Sequence, residues 1–537
     1  MKIASISVRN HSRLKDIEEL EVRGHLILIG QNNSGKSSLL RCIDLLLRPS
    51  GRSVRIELGG EDFRNPDEPL VIEAVFEGFT DEEKAVFCDS IQVEQVDGTD
   101  RQRLRIRLEA TVADVDDVDV TRYFPDCGDR ARVSREQLEL ISWSLLGASG
   151  YNRDIREDRK SILSDTIEGI DLGADTSLFE GVRDSFQSAL DGAESLVKAK
   201  DGLAENISPV LTNDVEGGNL RFSPPEDFGI NPLSGIRLMI REDSSERSVA
   251  RQSDGTRAML AIALYAMRNG KTGILAVDEP EAHLHPSSQR NLVKALAASS
   301  CQLVLATHSQ HVVSAFEPES IVVFHRDGSL SQPKREFLKG KEKAAVRMWA
   351  SNQLEPMTST RIIAVEGPSD RDVLNAVAKA QGVDFDRRGI SILEMGGKDN
   401  YQQVLDVFGE DGFDIPILFL LDEDAEQRVA NTFGVPVSGL ESKGVFISRK
   451  DLESEYVRAI GPKRLWGALN ASGLFSKNKM KNCPEPQTDT EAEADAVSAF
   501  CGGGNKTLAA VVAAGIIERD PTIHVASVTR LLRSVKQ

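Results

Sequence analysis

Cysteine and proline are scarce in this sequence, and long apolar runs are missing. Only six of the 537 residues are cysteines, and none forms a Cys-x-x-Cys pair. Neither a zinc site nor a disulfide framework is therefore expected, and a reducing, cytoplasmic compartment fits. No run of about 18 apolar residues occurs, so we expect no membrane-spanning segment. With 20 prolines and 40% hydrophobic residues, the composition predicts soluble folded domains.

An excess of positive charge is also missing. The chain has 65 basic and 84 acidic residues, a formal net charge of -19, which opposes non-specific attraction to DNA or to an anionic membrane. Contact with nucleic acid must therefore use a local basic surface. The best candidate is the acid-free segment 456–484, which is either a DNA-contacting surface or an ordinary solvated basic face. Its basic residues are Arg458, Lys463, Arg464, Lys477, Lys479 and Lys481.

A glycine-rich segment at residues 30–37 (Gly-Gln-Asn-Asn-Ser-Gly-Lys-Ser) follows an apolar stretch and precedes a helical pattern. This spacing and context are typical of a phosphate-binding loop, in which backbone N–H groups converge on the phosphates. Lys36 is expected to neutralise phosphate charge, and Ser37 to place its hydroxyl on Mg²⁺. A glycine turn that merely caps a helix is the alternative. The residues assigned to the nucleotide are Gly30, Asn33, Gly35, Lys36, Ser37 and Ser38.

A second apolar stretch, residues 274–277, ends in Asp278 and Glu279. A buried strand at this point would deliver Asp278 to the nucleotide-bound metal and Glu279, as a catalytic residue, to the attacking water. A solvated acidic turn is the alternative, although it would need no such strand.

These motifs resemble those of the ABC-type ATPases of recombination and chromosome maintenance. The resemblance extends to Ser253 and Gly255 in a Ser-x-Gly motif, and to His308 in an Ala-Thr-His-Ser segment. It implies that ATP is held between two protomers, with the Ser-x-Gly helix of one protomer contacting the γ-phosphate bound to the other. It also implies that His308 senses the γ-phosphate, although a structural histidine is the alternative. Asp254 and Thr256 depart from the commonest Ser-Gly-Gly-Gln form, so the tightness of closure is not implied.

Farther along the chain, two predicted strands end in carboxylates within an alternating pattern of strands and helices. Such alternation predicts a parallel sheet, whose strand ends lie at one edge. Like charges gathered there need cations, and oxygen ligands suit Mg²⁺ or Mn²⁺. Taken singly, each motif could be a strand-end acidic turn. The acids are Glu366 and Asp370 after the first strand, and Asp422 and Asp424 after the second.

The acidic motifs resemble the Toprim domain of type II topoisomerases, bacterial primases and OLD-family nucleases. Glu366 matches the strand-end glutamate of that domain, and Asp422 and Asp424 match its Asp-x-Asp pair. The OLD-type resemblance implies that Glu453 is a further metal ligand and Lys506 a catalytic lysine. An ordinary helix-start acid and a surface lysine are the alternatives for these two residues.

The motif order predicts an α/β protein in which an ABC-type P-loop ATPase domain carries an inserted helical dimerisation element. A Toprim α/β domain with a central parallel sheet follows. We predict ATPase parts at residues 1–132 and 233–340, the helical insertion and connector at 133–232, a linker at 341–358 and the Toprim domain at 359–537.

Nearly the whole chain resembles the OLD-family ATP-dependent nucleases, a group that includes the nuclease subunit of the Gabija anti-phage defence system. The resemblance implies a homodimer or tetramer that nicks or cuts DNA with Mg²⁺ or Mn²⁺ under the control of ATP. It also implies a role in defence, with a helicase or another defence subunit as a partner. One alternative is a non-cleaving, ATP-switched DNA clamp or sensor. A primase-like polymerase is another, but no residues of a template-binding module are found.

Overall fold

The computed structural model describes most of the chain, and it divides the chain into two compact units. The first contains residues 1–140 and 304–537, and the second contains residues 141–303. The described residues are 1–96, 98–114, 117–147, 176–198, 239–242, 245–248, 251, 254–269, 273–282, 284–297, 301–335, 344, 346, 354–397 and 400–536.

The first unit opens with an antiparallel sheet built from alternating apolar and polar residues. Leu70, Ile72 and Phe76 are buried on one face, and Ile72 pairs with Leu108 on the neighbouring strand. Alternation of this kind puts one face of the sheet on the core. The strands, in spatial order, are Ile17–Glu21, Lys2–Arg9, Leu70–Glu77, Thr99–Asp114 and Gln92–Val96, with Asp117–Tyr123 also paired to Thr99–Asp114.

Beside this sheet the first unit contains parallel strands that are apolar along their whole length. Leu26–Gly30 pairs in parallel with residues 304–306 of Gln302–Ala306 on one side and with Ile321–Phe324 on the other. Continuous apolar runs are typical of parallel strands covered on both faces. Leu330–Ser331 extends this group antiparallel to Ile321–Phe324.

The second unit contains a parallel strand pair where the sequence favoured helix. The helical insertion is predicted to begin at residue 133, but Trp143–Leu146 forms a strand parallel to Ile274–Asp278, so helix is wrong for this segment. A short apolar segment fits either period, and here pairing decides. Helix Thr176–Gly192 agrees with the pattern, whereas residues 148–175 and 199–238 lie outside the described residues. The unit also has helices Asp254–Asn269 and Pro286–Ala297 and a hairpin of Met239–Glu242 and Ser245–Ser248.

The C-terminal part of the first unit contains a four-stranded sheet in which all strands are parallel. Its strand order is Ile390–Glu394, Arg361–Val365, Ile417–Asp422 and Val445–Ser448. Helix Pro368–Ala380 covers the sheet, and Val373, Leu374 and Val377 enter a core that continues into the last helices of the chain. The predicted α/β class and the parallel sheet of this domain are therefore confirmed, while the exact domain boundaries stay a prediction.

Helices pack against the sheets of the first unit. Its α-helices are Lys36–Leu47, Gly51–Glu57, Asp81–Phe87, Arg135–Ile141, Gln310–Val313, Glu355–Thr358, Pro368–Ala380, Phe385–Arg388, Tyr401–Phe408, Glu426–Phe433, Leu452–Ile460, Pro462–Ala471, Lys477–Met480, Glu491–Cys501, Lys506–Ile517 and Ala526–Lys536. Its 3₁₀ helices are Gly60–Asp62, Gly128–Arg130, Pro318–Ser320, Glu423–Ala425, Val437–Lys443 and Gly503–Asn505.

Within the described ranges, no single helix has the length and apolarity that a membrane span requires. Glu491–Cys501 and residues 503–517 reach that length and composition only as a pair, bent by 71° at the break between them.

Candidate functional site

The glycine-rich segment connects the buried strand Leu26–Gly30 to helix Lys36–Leu47. Gly30 has φ +154°, and a Cβ there would lie 2.5 Å from the carbonyl oxygen of Phe324. At Gly35, with φ +108°, a Cβ would lie 2.6 Å from Cδ2 of Leu14. Only glycine fits this path, because side chains would meet the strand and loop packed against it.

The remaining loop residues follow the same backbone path. Asn33 adopts the left-handed conformation at φ +62°. The ammonium group of Lys36 is buried and donates hydrogen bonds of 2.9 Å to the carbonyl oxygens of Gly30 and Gln31. Ser37 is exposed and Ser38 half-buried in the first helical turn. The loop geometry agrees with phosphate binding, and the individual roles stay predictions.

The other predicted ATPase residues belong to both units. In the second unit, Asp278 ends its strand half-buried, and Glu279 follows it in the left-handed conformation at φ +52°. Gly255 lies in the first turn of helix Asp254–Asn269, whereas Ser253 is outside the described residues. In the first unit, His308 is exposed after strand Gln302–Ala306. Their roles in nucleotide binding stay predictions.

The acidic strand ends of the C-terminal sheet come together. Val365 pairs with Leu420, so Glu366 and Asp422 leave adjacent parallel strands at the same edge. The backbone N–H of Asp422 donates to Oε1 of Glu366 at 3.3 Å. Oδ1 of Asp422 accepts the backbone N–H of Leu452 at 3.0 Å, which brings the helix containing Glu453 to the same place.

Lys506 lies among these acids. Its Nζ is 3.4 Å from Oδ1 of Asp370 and 3.3 Å from Oε1 of Glu453. Asp370 is buried in the first turn of its helix, where its Oδ2 also accepts the N–H of Gly367 at 3.0 Å. The structure thus brings together four predicted acids and the predicted lysine, which we call the acid cluster: Glu366, Asp370, Asp422, Glu453 and Lys506.

The fifth predicted acid, Asp424, is placed differently. It is exposed in the 3₁₀ helix Glu423–Ala425, immediately after the strand that ends at Asp422. Its charge still contributes to raising the pKa of Glu366. Asp424 therefore belongs to the rim of the acid cluster.

Burial and mutual repulsion make the acid cluster difficult to ionise. Burial, followed by the charge of Glu366, raises the pKa of Asp422 to about 8. Burial also raises the pKa values of Glu366 and Glu453. The pKa of Lys506 is raised by the surrounding carboxylates, Asp370 first, which outweigh its burial. One ammonium group therefore does not neutralise all of these acids, and further positive charge would stabilise their ionised forms.

The donor set fits a hard divalent cation, although the side chains are not arranged around one. Among the described residues, no group of three or more His, Cys, Asp or Glu is positioned to hold a metal ion. Oε1 of Glu453 is buried without a hydrogen-bond partner, and its polar contact is the ion pair with Lys506. Carboxylate oxygens are the ligands that Mg²⁺ and Mn²⁺ prefer. A cation bound by Asp370 and Glu453 would have to share them with Lys506.

Glu455 is a second buried carboxylate in the same helix as Glu453. The sequence alone does not show which of the two belongs to the acid cluster. Its Oε1 accepts the N–H of Arg449 at 2.9 Å, and its Oε2 accepts the N–H and hydroxyl of Ser527 at 2.8 and 2.7 Å. These bonds fix the start of the helix Ala526–Lys536. Glu455 is therefore a structural residue of the domain.

We expect Glu455→Ala to destabilise the protein by about 2–4 kcal/mol, because the buried donors of Ser527 and the partly buried N–H of Arg449 lose their acceptor. Thermal unfolding monitored by circular dichroism measures the effect. Glu491→Ala is the control, since Glu491 is exposed and, within the described ranges, its ion pair is with Arg458. Equal melting temperatures for Glu455→Ala and the parent protein would contradict this structural role.

In the folded protein, the basic segment 456–484 contains both ion-paired arginines and exposed lysines. Arg458 pairs with Glu491 at 2.6 Å, and Arg464 pairs with Asp520 at 2.7 Å. These two arginines are therefore largely neutralised. Lys479 lies near the acid cluster, since its Nζ is 3.3 Å from Oδ1 of Asn505, the residue before Lys506. The exposed lysines around the short helix Lys477–Met480 are Lys477, Lys479 and Lys481.

The C-terminal sheet domain contacts the phosphate-binding loop, which the sequence did not reveal. A Cβ added to Gly389 (φ +65°) would lie 2.9 Å from Nε2 of Gln31, a residue of that loop. Outside that loop, the same domain also meets strand Leu330–Ser331, where the hydroxyl of Ser331 donates to the carbonyl oxygen of Phe413 at 2.6 Å. No local pattern indicates such a contact, because its partners lie far apart in the sequence.

The fold and these two sites define a class of protein in which an ABC-type ATPase domain is joined to a Toprim domain. Residues 26–314, more than half of the chain, match the family model described as AAA domain, putative AbiEii toxin, Type IV TA system. Residues 357–424 match the model described as Overcoming lysogenization defect protein-like, TOPRIM domain.

Curated relatives match along most of the chain. The OLD nuclease of Thermus scotoductus is 25% identical over 454 residues, which cover 78% of this chain and 81% of the relative. The Old nuclease of Escherichia phage P2 is 24% identical over 467 residues, covering 78% and 77%. Endonuclease GajA of Bacillus cereus is 24% identical over 173 residues, covering 31% and 30%.

The chain belongs to the OLD family of nucleases that carry this AAA-type ATPase domain. It is a nuclease, as the resemblance in the motifs predicted, and the predicted combination of ATPase and Toprim domains is confirmed. Domains of these two kinds bind nucleotides and divalent metal ions. These matches favour the nuclease over the non-cleaving clamp and the polymerase.

Proposed function

We propose that this protein is a DNA endonuclease that nicks or cuts DNA with Mg²⁺ or Mn²⁺ at the acid cluster, under the control of ATP bound at the phosphate-binding loop. The observation that carries the proposal is the meeting of Glu366, Asp370, Asp422 and Glu453 around Lys506. Asp424 at the rim completes the proposed metal ligands.

The residues of the acid cluster divide the chemistry between them. The carboxylates hold the divalent metal, which when bound activates water and stabilises the leaving oxygen of the phosphodiester. Lys506 acts as a fixed positive charge and not as a base, because the neighbouring carboxylates raise its pKa. Its ammonium group stabilises the negative charge that develops on the phosphoryl oxygens during cleavage.

The exposed lysines Lys477, Lys479 and Lys481 are the proposed contacts for the DNA backbone beside this site. Contact between Lys479 and Asn505 places them next to Lys506. A chain with a net charge of -19 needs such a local basic surface, since phosphate contacts supply much of the affinity for DNA. The ion-paired Arg458 and Arg464 are not included.

Supercoiled plasmid is the direct test of the proposed function. The purified protein should convert it to nicked or linear DNA with Mg²⁺ or Mn²⁺, and should leave it intact with EDTA. Supercoiled plasmid that persists with both metals, in the presence and absence of ATP, would contradict the proposal.

Control of the nuclease by ATP is supported by the contact between Gln31 and Gly389, because it connects the phosphate-binding loop to the C-terminal sheet domain. Occupancy of the loop can act on the acid cluster only if it changes an equilibrium that both sites share. The Gln31–Gly389 contact is the proposed place for that coupling.

Lys36→Ala should remove the dependence of DNA cleavage on ATP, since it removes the charge that binds the phosphates. The measurement is the cleavage rate with and without ATP, in the parent and in the variant. The control is Lys84→Ala, which should behave like the parent. Lys84 is a half-buried lysine of the same domain, and among the described residues its ion pair is with Asp81. The same response to ATP in Lys36→Ala and the parent would refute control through this loop.

We also propose a homodimer or tetramer, because the Ser-x-Gly motif at residues 253–255 implies that a second protomer completes the ATP site. A role in anti-phage defence, with a helicase or another defence subunit as partner, rests on the resemblance to the Gabija nuclease. Similarity to Endonuclease GajA over 31% of the chain supports that resemblance.

A further inference from the structure

A cavity of about 460 Å³ in the ATPase part of the first unit lies outside both proposed active sites. It is lined by residues of the strand Asp117–Tyr123 and of helices Gly51–Glu57 and Arg135–Ile141. None of its lining residues belongs to the phosphate-binding loop or to the acid cluster. None of the lining residues is acidic. Four of them are arginines, namely Arg55, Arg122, Arg132 and Arg135.

Arg122 places a partly buried positive charge at this cavity. Its Nη1 donates to the carbonyl oxygens of Leu46 and Arg48, and it has no ion pair with a carboxylate in the described part of the chain. Burial and the charge of Arg48 lower its pKa. Arg48 itself is neutralised by Asp44 and Glu57. The charge of Asp44 opposes this lowering, but its carboxylate is ion-paired with Arg48. A partly buried guanidinium that has no ion pair of its own is stabilised by an anion that reaches the cavity.

The other arginines extend the positive charge outwards. Arg55 and Arg132 are both exposed and, among the described residues, have no carboxylate within ion-pair distance. Arg135 is also exposed, and its guanidinium pairs with Glu139 at 2.8 Å. In a chain of net charge -19, three arginines without an acidic partner around one concavity form a strong local attraction for an anion.

We infer that this cavity binds phosphate groups of the DNA backbone, as a second DNA contact on the ATPase part of the chain. The planar guanidinium group presents paired N–H donors that match phosphate oxygens. The apolar side chains of Val133 and Leu138, which line the same cavity, suit the carbon face of a deoxyribose. The inference rests on the proposed action on DNA, and it adds a binding site to that function.

The test compares the parent with the double variant Arg55→Ala/Arg132→Ala, which leaves the more buried Arg122 in place. Affinity for a fluorescein-labelled duplex of about 20 base pairs is measured by anisotropy in EDTA, over a series of NaCl concentrations. Loss of two phosphate contacts should weaken binding about tenfold near 0.15 M salt, and reduce the slope of log K against log salt by about 2.

Arg101→Ala/Arg130→Ala is the matched control, because it removes the same charge from arginines that pair with Glu77 and Glu109 outside the cavity. The control should bind DNA like the parent, and all three proteins should melt together. If the cavity variant has the affinity and salt slope of the control, the inference is overturned.

Binding of inorganic phosphate, measured by calorimetry, separates the two sources of a phosphate anion. A cavity variant that loses phosphate binding but keeps its affinity for DNA would assign the cavity to a free phosphate, and so overturn the DNA contact. Because the DNA measurement excludes metal, it is independent of cleavage. If the parent protein binds DNA through the cavity but leaves plasmid intact, only the proposed endonuclease activity is contradicted, and the DNA contact stands.

Discussion

Replacing Asp422 with Asn is expected to lower the rate of DNA cleavage by about 10²–10³-fold or more, since the variant loses a charged ligand at the proposed metal site. The amide oxygen of Asn can still accept the backbone N–H of Leu452, which is 3.0 Å from Oδ1 of Asp422. The fold and the phosphate-binding loop should therefore be retained. Initial rates of plasmid nicking measure the loss, and fluorescent ATP binding measures the intact loop.

Asp386→Asn is the control for this experiment. Asp386 is an exposed acid on helix Phe385–Arg388 of the same domain, and its replacement makes the same chemical change away from the acid cluster. The Asp386→Asn variant should cleave DNA at the rate of the parent protein. Plasmid cleavage by Asp422→Asn at the parent rate would remove Asp422 from the proposed mechanism.

Without metal, the same substitution should make the protein more stable than the parent, and the difference should grow as the pH rises from about 4 to 8. Burial and Glu366 raise the pKa of Asp422 to about 8 in the folded protein, whereas an unfolded aspartate has a pKa of about 4. Between these values the folded state binds more protons than the unfolded state, so the contribution of Asp422 to stability is lost as the pH rises. Asn carries no such charge.

We expect an advantage of about 1–3 kcal/mol for Asp422→Asn at pH 8, after allowance for partial exposure. Thermal unfolding in EDTA at pH 5, 7 and 8 measures it, and Asp386→Asn should follow the parent at each pH. Adding Mg²⁺ or Mn²⁺ should stabilise the parent more than Asp422→Asn, since bound cations offset the repulsion between the acids. A variant that melts below the parent at every pH would show that Asp422 stabilises the fold.

Local sequence patterns were sufficient for the parts of the molecule that depend on neighbouring residues. Glycines at 30 and 35 determine the loop, since their backbone conformations and close contacts exclude side chains. Apolar runs that end in acids determined two parallel strands with Glu366 and Asp422 at one edge, because parallel strands present their carboxyl ends together. Local patterns did not predict the strand Trp143–Leu146. A segment of four residues is too short to distinguish the period of a helix from that of a strand.

The sequence by itself therefore determined the family, the order of the domains and the residue types from which the two sites are built. Only the tertiary structure decided that Lys506 lies between Asp370 and Glu453, and that Glu455 supports a helix instead of joining the acid cluster. It also decided which arginines are neutralised and which line a cavity without acids. The physical reason is distance along the chain: charges and hydrogen-bonding groups tens or hundreds of residues apart acquire their partners only through packing.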